Sequence, residues 1–187
     1  GYFGFVDTTK CIDQAICDAA QVCTQTCTTG NCPATCDTSI KALYTGGLKG
    51  YGITVDHKQR VWRSGYPTAG VFRYDPAAPA NQRYTQSAAP AYGGGIAADS
   101  AGWVWAANIK GSTVRIDQST LQHVNIPNAS SKGIAVDARG RVFAVEYAGK
   151  VHLIEPGATI NDQQVTPNAI PLKGVAYAYS DMTGIQT

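Results

Sequence analysis

Six cysteines, Cys11, Cys17, Cys23, Cys27, Cys32 and Cys36, crowd into one Thr-rich polar stretch, and none follows them. Thiols this close together can hold zinc, attach haem, act as nucleophiles or pair as disulfides. Zinc sites usually show Cys-x-x-Cys pairs or a neighbouring histidine, whereas the nearest histidine here is His57 and the gaps are longer. Covalent haem needs Cys-x-x-Cys-His, which the chain lacks. Disulfides fit the pattern best, with zinc as the competing reading, and paired sulfurs are not nucleophiles. Disulfides persist in oxidising compartments, so the expected location is extracellular, secreted or at the cell surface. The connectivity stays open. A short hairpin joining Cys23 to Cys36 and Cys27 to Cys32 across "TTGN" is one arrangement that the spacing permits.

The elements that would position any chemistry are legible in a repeat. "GITVDHKQRVW" begins at Gly52, "GIAADSAGWVW" at Gly95 and "GIAVDARGRVF" at Gly133. Asp56, Asp99 and Asp137 hold one position of this unit, and Trp62, Trp105 and Phe143 hold another. Short β-type runs recurring about every 40 residues predict an all-β fold, a β-propeller made of four-stranded blades. The Gly-Ile start reads as an inner strand where backbones crowd near the axis. The Asp-x-x-Gly turn uses the carboxylate to hold local amides, while its glycine takes a positive φ. Gln59 stands at that glycine position in the first copy and reads as a strained but tolerated turn. The three aromatics read as packing between blades, since one blade cannot cover its own faces.

The template also organises the ends. "GYFGFVD" matches a third strand, "IKALYTG" a fourth, and "LKGVAYAYSDMTG" a first strand from Gly174 with Ala178 in place of the aspartate. Residues 1–10 and 40–187 are thus assigned to blades and 11–39 to a disulfide-rich insertion. The chain holds about four blades, and an arc of that size exposes two unmatched ends. A larger or completed propeller is therefore expected, closed by a protein partner, further copies or more of the chain.

Composition narrows the function. With 187 residues and 44% hydrophobic content, the chain can bury a core. Only 15% of residues are charged, the net charge is +2 and no basic stripe exists, so nucleic acid is not an expected partner. No apolar run approaches the roughly 20 residues that span a bilayer, so no transmembrane segment is expected. The start at Gly1, without a charged-then-apolar leader, reads as a processed chain or part of a longer one.

"GIAVDARGRVFAVE" resembles the repeats of NHL-type and virginiamycin B lyase-like propellers, and the likeness covers about residues 50–184. The two ends are also similar to bacterial surface propellers that carry a cysteine-rich insertion. In lyases of this type, a histidine and acidic residues near the channel bind a divalent metal and open a cyclic ester by elimination. The resemblance points to Glu146 as the matching acidic position, with Gly65 and Asn108 at the equivalent places, so no acidic set recurs. His152 follows in the next strand, with Glu155 beyond it. The competing reading makes Glu146 a solvated or ion-paired residue and His152 an ordinary strand residue. No catalytic set, metal site or cofactor is assigned, although Mg or Ca would serve the lyase reading. His57 and His123 read as surface residues. No Gly-x-Ser-x-Gly, phosphate loop or His-Glu-x-x-His is present. Asn128, Ala129 and Ser130 form an acceptor triplet for N-linked sugar. The expected function is a secreted or cell-surface propeller acting as a structural or binding scaffold in an assembly. The alternative is a divalent-metal-dependent lyase or lactonase.

Overall fold

The computed structural model describes residues 2–6, 41–45, 50–79 and 82–172. The six cysteines and the strand expected from Gly174 lie outside these residues. The chain divides into two compact units, Gly1–Gly47 and Leu48–Thr187. In the first, β1 (Tyr2–Val6) pairs antiparallel with β2 (Lys41–Thr45), joining the two segments that flank the cysteine cluster in sequence.

The second unit contains three four-stranded antiparallel sheets, each a meander in chain order, and no helix among its described residues. The first sheet is β3 (Gly50–Val55), β4 (Val61–Gly65), β5 (Val71–Tyr74) and β6 (Tyr84–Ser87). The second is β7 (Ile96–Ala98), β8 (Trp103–Ala106), β9 (Thr113–Asp117) and β10 (His123–Ile126). The third is β11 (Gly133–Val136), β12 (Val142–Glu146), β13 (Lys150–Pro156) and β14 (Gln163–Pro171). Each repeat copy is the first two strands of one sheet, as the pattern predicts.

The middle sheet shows why these strands carry few polar residues. Successive side chains of a strand point to opposite faces. Val104 and Ala106 face the first sheet and pack with Trp62 and Val71. Trp105 and Ala107 face the third and pack with Ile134, Val142 and Ile154. A sheet covered on both faces must be apolar on both, and burial of each large side chain stabilises by about 1.5–3 kcal/mol.

The inner strands approach through glycine. A Cβ on Gly52 would lie 2.9 Å from the Gly94 carbonyl oxygen, and one on Gly94 would lie 2.6 Å from that of Lys132. The Ser64 hydroxyl bridges the first seam, accepting from Gly52 N–H at 2.9 Å and donating to Gly94 O at 2.6 Å. At the second seam Gly95 N–H donates to Lys132 O at 2.8 Å. In the Asp-x-x-Gly turns, Gly102 and Gly140 have φ of 99° and 77°, and Gln59 takes 60° at the same place. Gln59 thus occupies a left-handed conformation that a glycine adopts without strain.

Candidate functional site

Asp56, Asp99 and Asp137 do more than hold their turns. One carboxylate oxygen of each accepts turn amides: Lys58 and Arg60 N–H at Asp56, Trp103 N–H at Asp99, Arg139 and Arg141 N–H at Asp137. The second oxygen of Asp56 accepts the Trp62 indole N–H at 2.8 Å, and that of Asp99 accepts the Trp105 indole at 2.8 Å. Each carboxylate therefore ties its turn to the tryptophan buried in the seam. Phe143 has no N–H to offer, and at Asp137 the second oxygen keeps only the arginine bond, from Arg141 Nε at 2.8 Å, that Arg60 Nε makes to Asp56 at 2.7 Å beside the indole. Phe143 is only half-buried, unlike Trp62 and Trp105.

The partners set the charge. At Asp56 burial raises the carboxyl's pKa, but hydrogen bonds from Trp62 and Arg60 outweigh it and hold the group below the ordinary carboxylate value. Arg141 does the same for Asp137 against its own burial. Asp99 has Trp103 where the other two have arginine, and burial keeps its carboxyl above the ordinary value despite the bonds from Trp105 and Trp103.

Three arginines that the repeat pattern does not single out clamp consecutive sheets, the first being Arg60, which donates to Gln118 O and Oε1 at 3.0 Å each. Arg73 stands opposite Trp62 and donates to Gln118 O at 2.8 Å in the next sheet. Arg115 stands opposite Trp105, lies 3.9 Å over the Trp103 ring, and donates to the Thr159, Asp162 and Gly157 carbonyls at 2.6, 2.8 and 2.7 Å. The signal for Arg73 and Arg115 was an arginine two residues before Asp75 and again before Asp117. In the third sheet Leu153 pairs with Phe143 at this place.

The structure brings Glu146 and His152 together. Glu146 ends β12, and its Oε2 lies 3.6 Å from His152 Nε2 and 3.6 Å from Lys150 Nζ. These side chains, with Gly111, Ser112, Asn128 and Ser130, line an open cavity of ≈ 360 Å³ between the second and third sheets. The third sheet is irregular here, because the β13–β14 register shifts between Val151 and Leu153. Such bulges re-aim side chains. Asn168, at a φ of 53°, turns its N–H onto His152 Nδ1 at 3.3 Å. Glu155 is exposed and pairs with Gln164, away from the cavity lining. His57 and His123 are exposed. Asn128 is exposed at a φ of 60°.

A divalent cation such as Mg or Ca needs several oxygen donors. In this cavity the one carboxylate faces an ammonium and an imidazole whose Nδ1 accepts an N–H. A neutral imidazole that accepts at Nδ1 carries its proton on Nε2, so that nitrogen is a donor and not a metal ligand. The described residues do not fit such an ion, and among them no three His, Cys, Asp or Glu form a group that could hold one.

A second cluster sits on the strand-joining loops. Tyr66, Ile109 and Tyr147 each follow the second strand of a sheet, at the residues after Gly65, Asn108 and Glu146, and are 43%, 40% and 52% exposed. The Tyr66 ring lies 6.1 Å from Tyr51 and 5.3 Å from Tyr92, with Lys132 Nζ 3.8 Å over Tyr51 and Lys110 Nζ 4.2 Å over Tyr92.

Meander sheets of four strands, stacked through a repeated aromatic seam, define a β-propeller. A solved structure described as a streptogramin B lyase matches with a TM-score of 0.52 and 18% identity, over 70% of this chain and 45% of its own. The chain thus spans less than half the length of that structure, and the likeness at this identity is one of fold. No protein-family profile matches the chain, and no curated protein matches it.

Proposed function

We propose that this chain is part of a secreted or cell-surface β-propeller that serves as a structural and binding scaffold, engaging a protein partner or further copies of itself. The observation that carries the reading is the recurrence of an exposed large apolar side chain, Tyr66, Ile109 and Tyr147, at one position of three consecutive blades. Contiguous exposed apolar surface marks interaction sites, and here Tyr66 and Ile109 adjoin, both standing 3.1 Å from a Cβ placed on Gly93. The six cysteines crowded into one polar stretch support the compartment, since pairing them as disulfides needs an oxidising environment. Light scattering tests the scaffold role. The native chain should run above 19.7 kDa, and a Tyr66→Ser, Ile109→Ser, Tyr147→Ser variant should fall to the monomer. A native monomer, or a variant that assembles unchanged, would contradict it.

The alternative, a divalent-metal-dependent lyase or lactonase, draws on the convergence of Glu146 and His152 at one cavity. It requires further oxygen ligands from outside the described residues.

A further inference from the structure

We infer that the cavity between the second and third blades is a binding site for a neutral, hydroxyl-rich ligand of about monosaccharide size, held between Glu146 and His152. Position comes first. His152 pairs with Ala144 in β13, at the place that Phe72 holds opposite Arg63 in the first blade and Val114 holds opposite Ala106 in the second. Phe72 and Val114 are buried core residues. A side chain only 5% exposed at this place would ordinarily be apolar, so an imidazole there calls for a reason.

The ring is also aimed. The bulge and the Asn168 N–H fix it through Nδ1, which leaves Nε2 as the donor. That Nε2 is buried and has no hydrogen-bond partner, and the Glu146 carboxylate opposite stands just beyond hydrogen-bond reach. A buried polar group without a partner costs about 1–3 kcal/mol, and a hydroxyl that enters beside the two as the part-exposed Glu146 carboxylate swings aside removes that cost. It accepts from Nε2–H and donates to Oε2 in one position, as neither a pure anion nor a cation can.

Charge and size agree with this class. One carboxylate and one ammonium, Glu146 and Lys150, leave the cavity balanced, while Ser112, Asn128 and Ser130 offer both donors and acceptors. An anion would meet the carboxylate, and a cation would meet the ammonium. The volume lies at the small end of ligand sites, which span about 300–1,000 Å³.

The inference deepens the binding reading, but it is tested apart from assembly. Unglycosylated protein is titrated with D-glucose, D-galactose and D-mannose, their methyl glycosides, sodium sulfate and magnesium chloride, following the His152 ring and the Ser112 and Asn128 amides by NMR. At least one sugar should give a saturable shift; a response to its methyl glycoside as well would identify a glycan end, and to the free sugar alone a small-molecule ligand. Glu146→Gln should weaken binding about tenfold or more, since it replaces a charged acceptor. His152→Val, which installs the residue of the second blade, should abolish it. If the valine variant fails to fold, Glu146→Gln alone decides. No response to any sugar, an equal response in Glu146→Gln, or a response at these residues to sulfate or magnesium instead would overturn the inference. A His152→Val protein that still assembles while the wild type binds no sugar would sink the inference and leave the scaffold standing.

Discussion

The seam between the first and second blades and the seam between the second and third are built from the same parts and end differently. Both bury a tryptophan whose indole is held by the turn aspartate of its own blade, and both are crossed by an arginine from the third strand. In the first seam Val114 fills the place near the strand-joining loops and joins the apolar cluster of Trp62, Val71 and Ile96. In the second, His152 takes that place and the seam opens into a polar cavity. The difference teaches that one end of such a seam can be given to ligand chemistry while the tryptophan end keeps the blades joined. The clamp that rests on one arginine lies where the opening is, because Arg60 shares Gln118 with Arg73 in the first seam. Arg115 is fully buried and grips three carbonyls, whereas Arg73 is half-buried with one short bond to Gln118 and a 3.5 Å contact to Ser119.

That asymmetry gives the largest expected effect. Arg115→Ala leaves three acceptors without their donor and should cost upwards of about 3 kcal/mol in denaturant unfolding, against about 1 kcal/mol for Arg73→Ala. Equal costs would mean that the two seams are held alike. Next comes pH. Asp56 is held below its ordinary value of 3.8, so its stabilisation is present above that pH and is lost as pH falls through the lowered folded value. Asp99 is raised above 3.8, so the folded state there binds the proton more tightly. Its contribution is full below 3.8 and declines as pH rises through the raised value. Unfolding of Asp56→Asn and Asp99→Asn against wild type across this acid range should therefore show slopes of opposite sign. Parallel slopes would break the distinction between a turn that has arginine and one that has Trp103. The smallest effect belongs to the turns themselves. Gln59→Gly should stabilise by about 0.5–1 kcal/mol by relieving the left-handed strain, while Gly102→Ala should destabilise by a similar amount.

The repeat made the blades legible, because alternation, the Asp-x-x-Gly turn and the aromatic recur together in three copies. Gln59 reads as a strained turn and stands at a positive φ. The indole-to-aspartate bonds were hidden, since the sequence shows Asp56 and Trp62 as separate members of a pattern and not as a pair. Glu146 and His152 were visible as residues but not as neighbours: the β12–β13 register sets them on one face, and the irregular β14 brings the Asn168 N–H onto the imidazole. The cavity itself depends on Ser112 and Asn128 from the neighbouring blade, a juxtaposition that no local pattern encodes.

One nitrogen, His152 Nε2, decides what the cavity can hold. His152 is described as a hydrogen-bond donor through Nε2, fixed by the Asn168 N–H on Nδ1, and this separates a hydroxyl-binding cavity from a metal-ligating one. A long-range proton–nitrogen NMR spectrum of the imidazole at alkaline pH reads the tautomer directly. The proton should reside on Nε2, with Nδ1 carrying none while it accepts the Asn168 N–H. A proton found on Nδ1 would rule out donation from Nε2, free that nitrogen as a metal ligand, and favour the lyase reading.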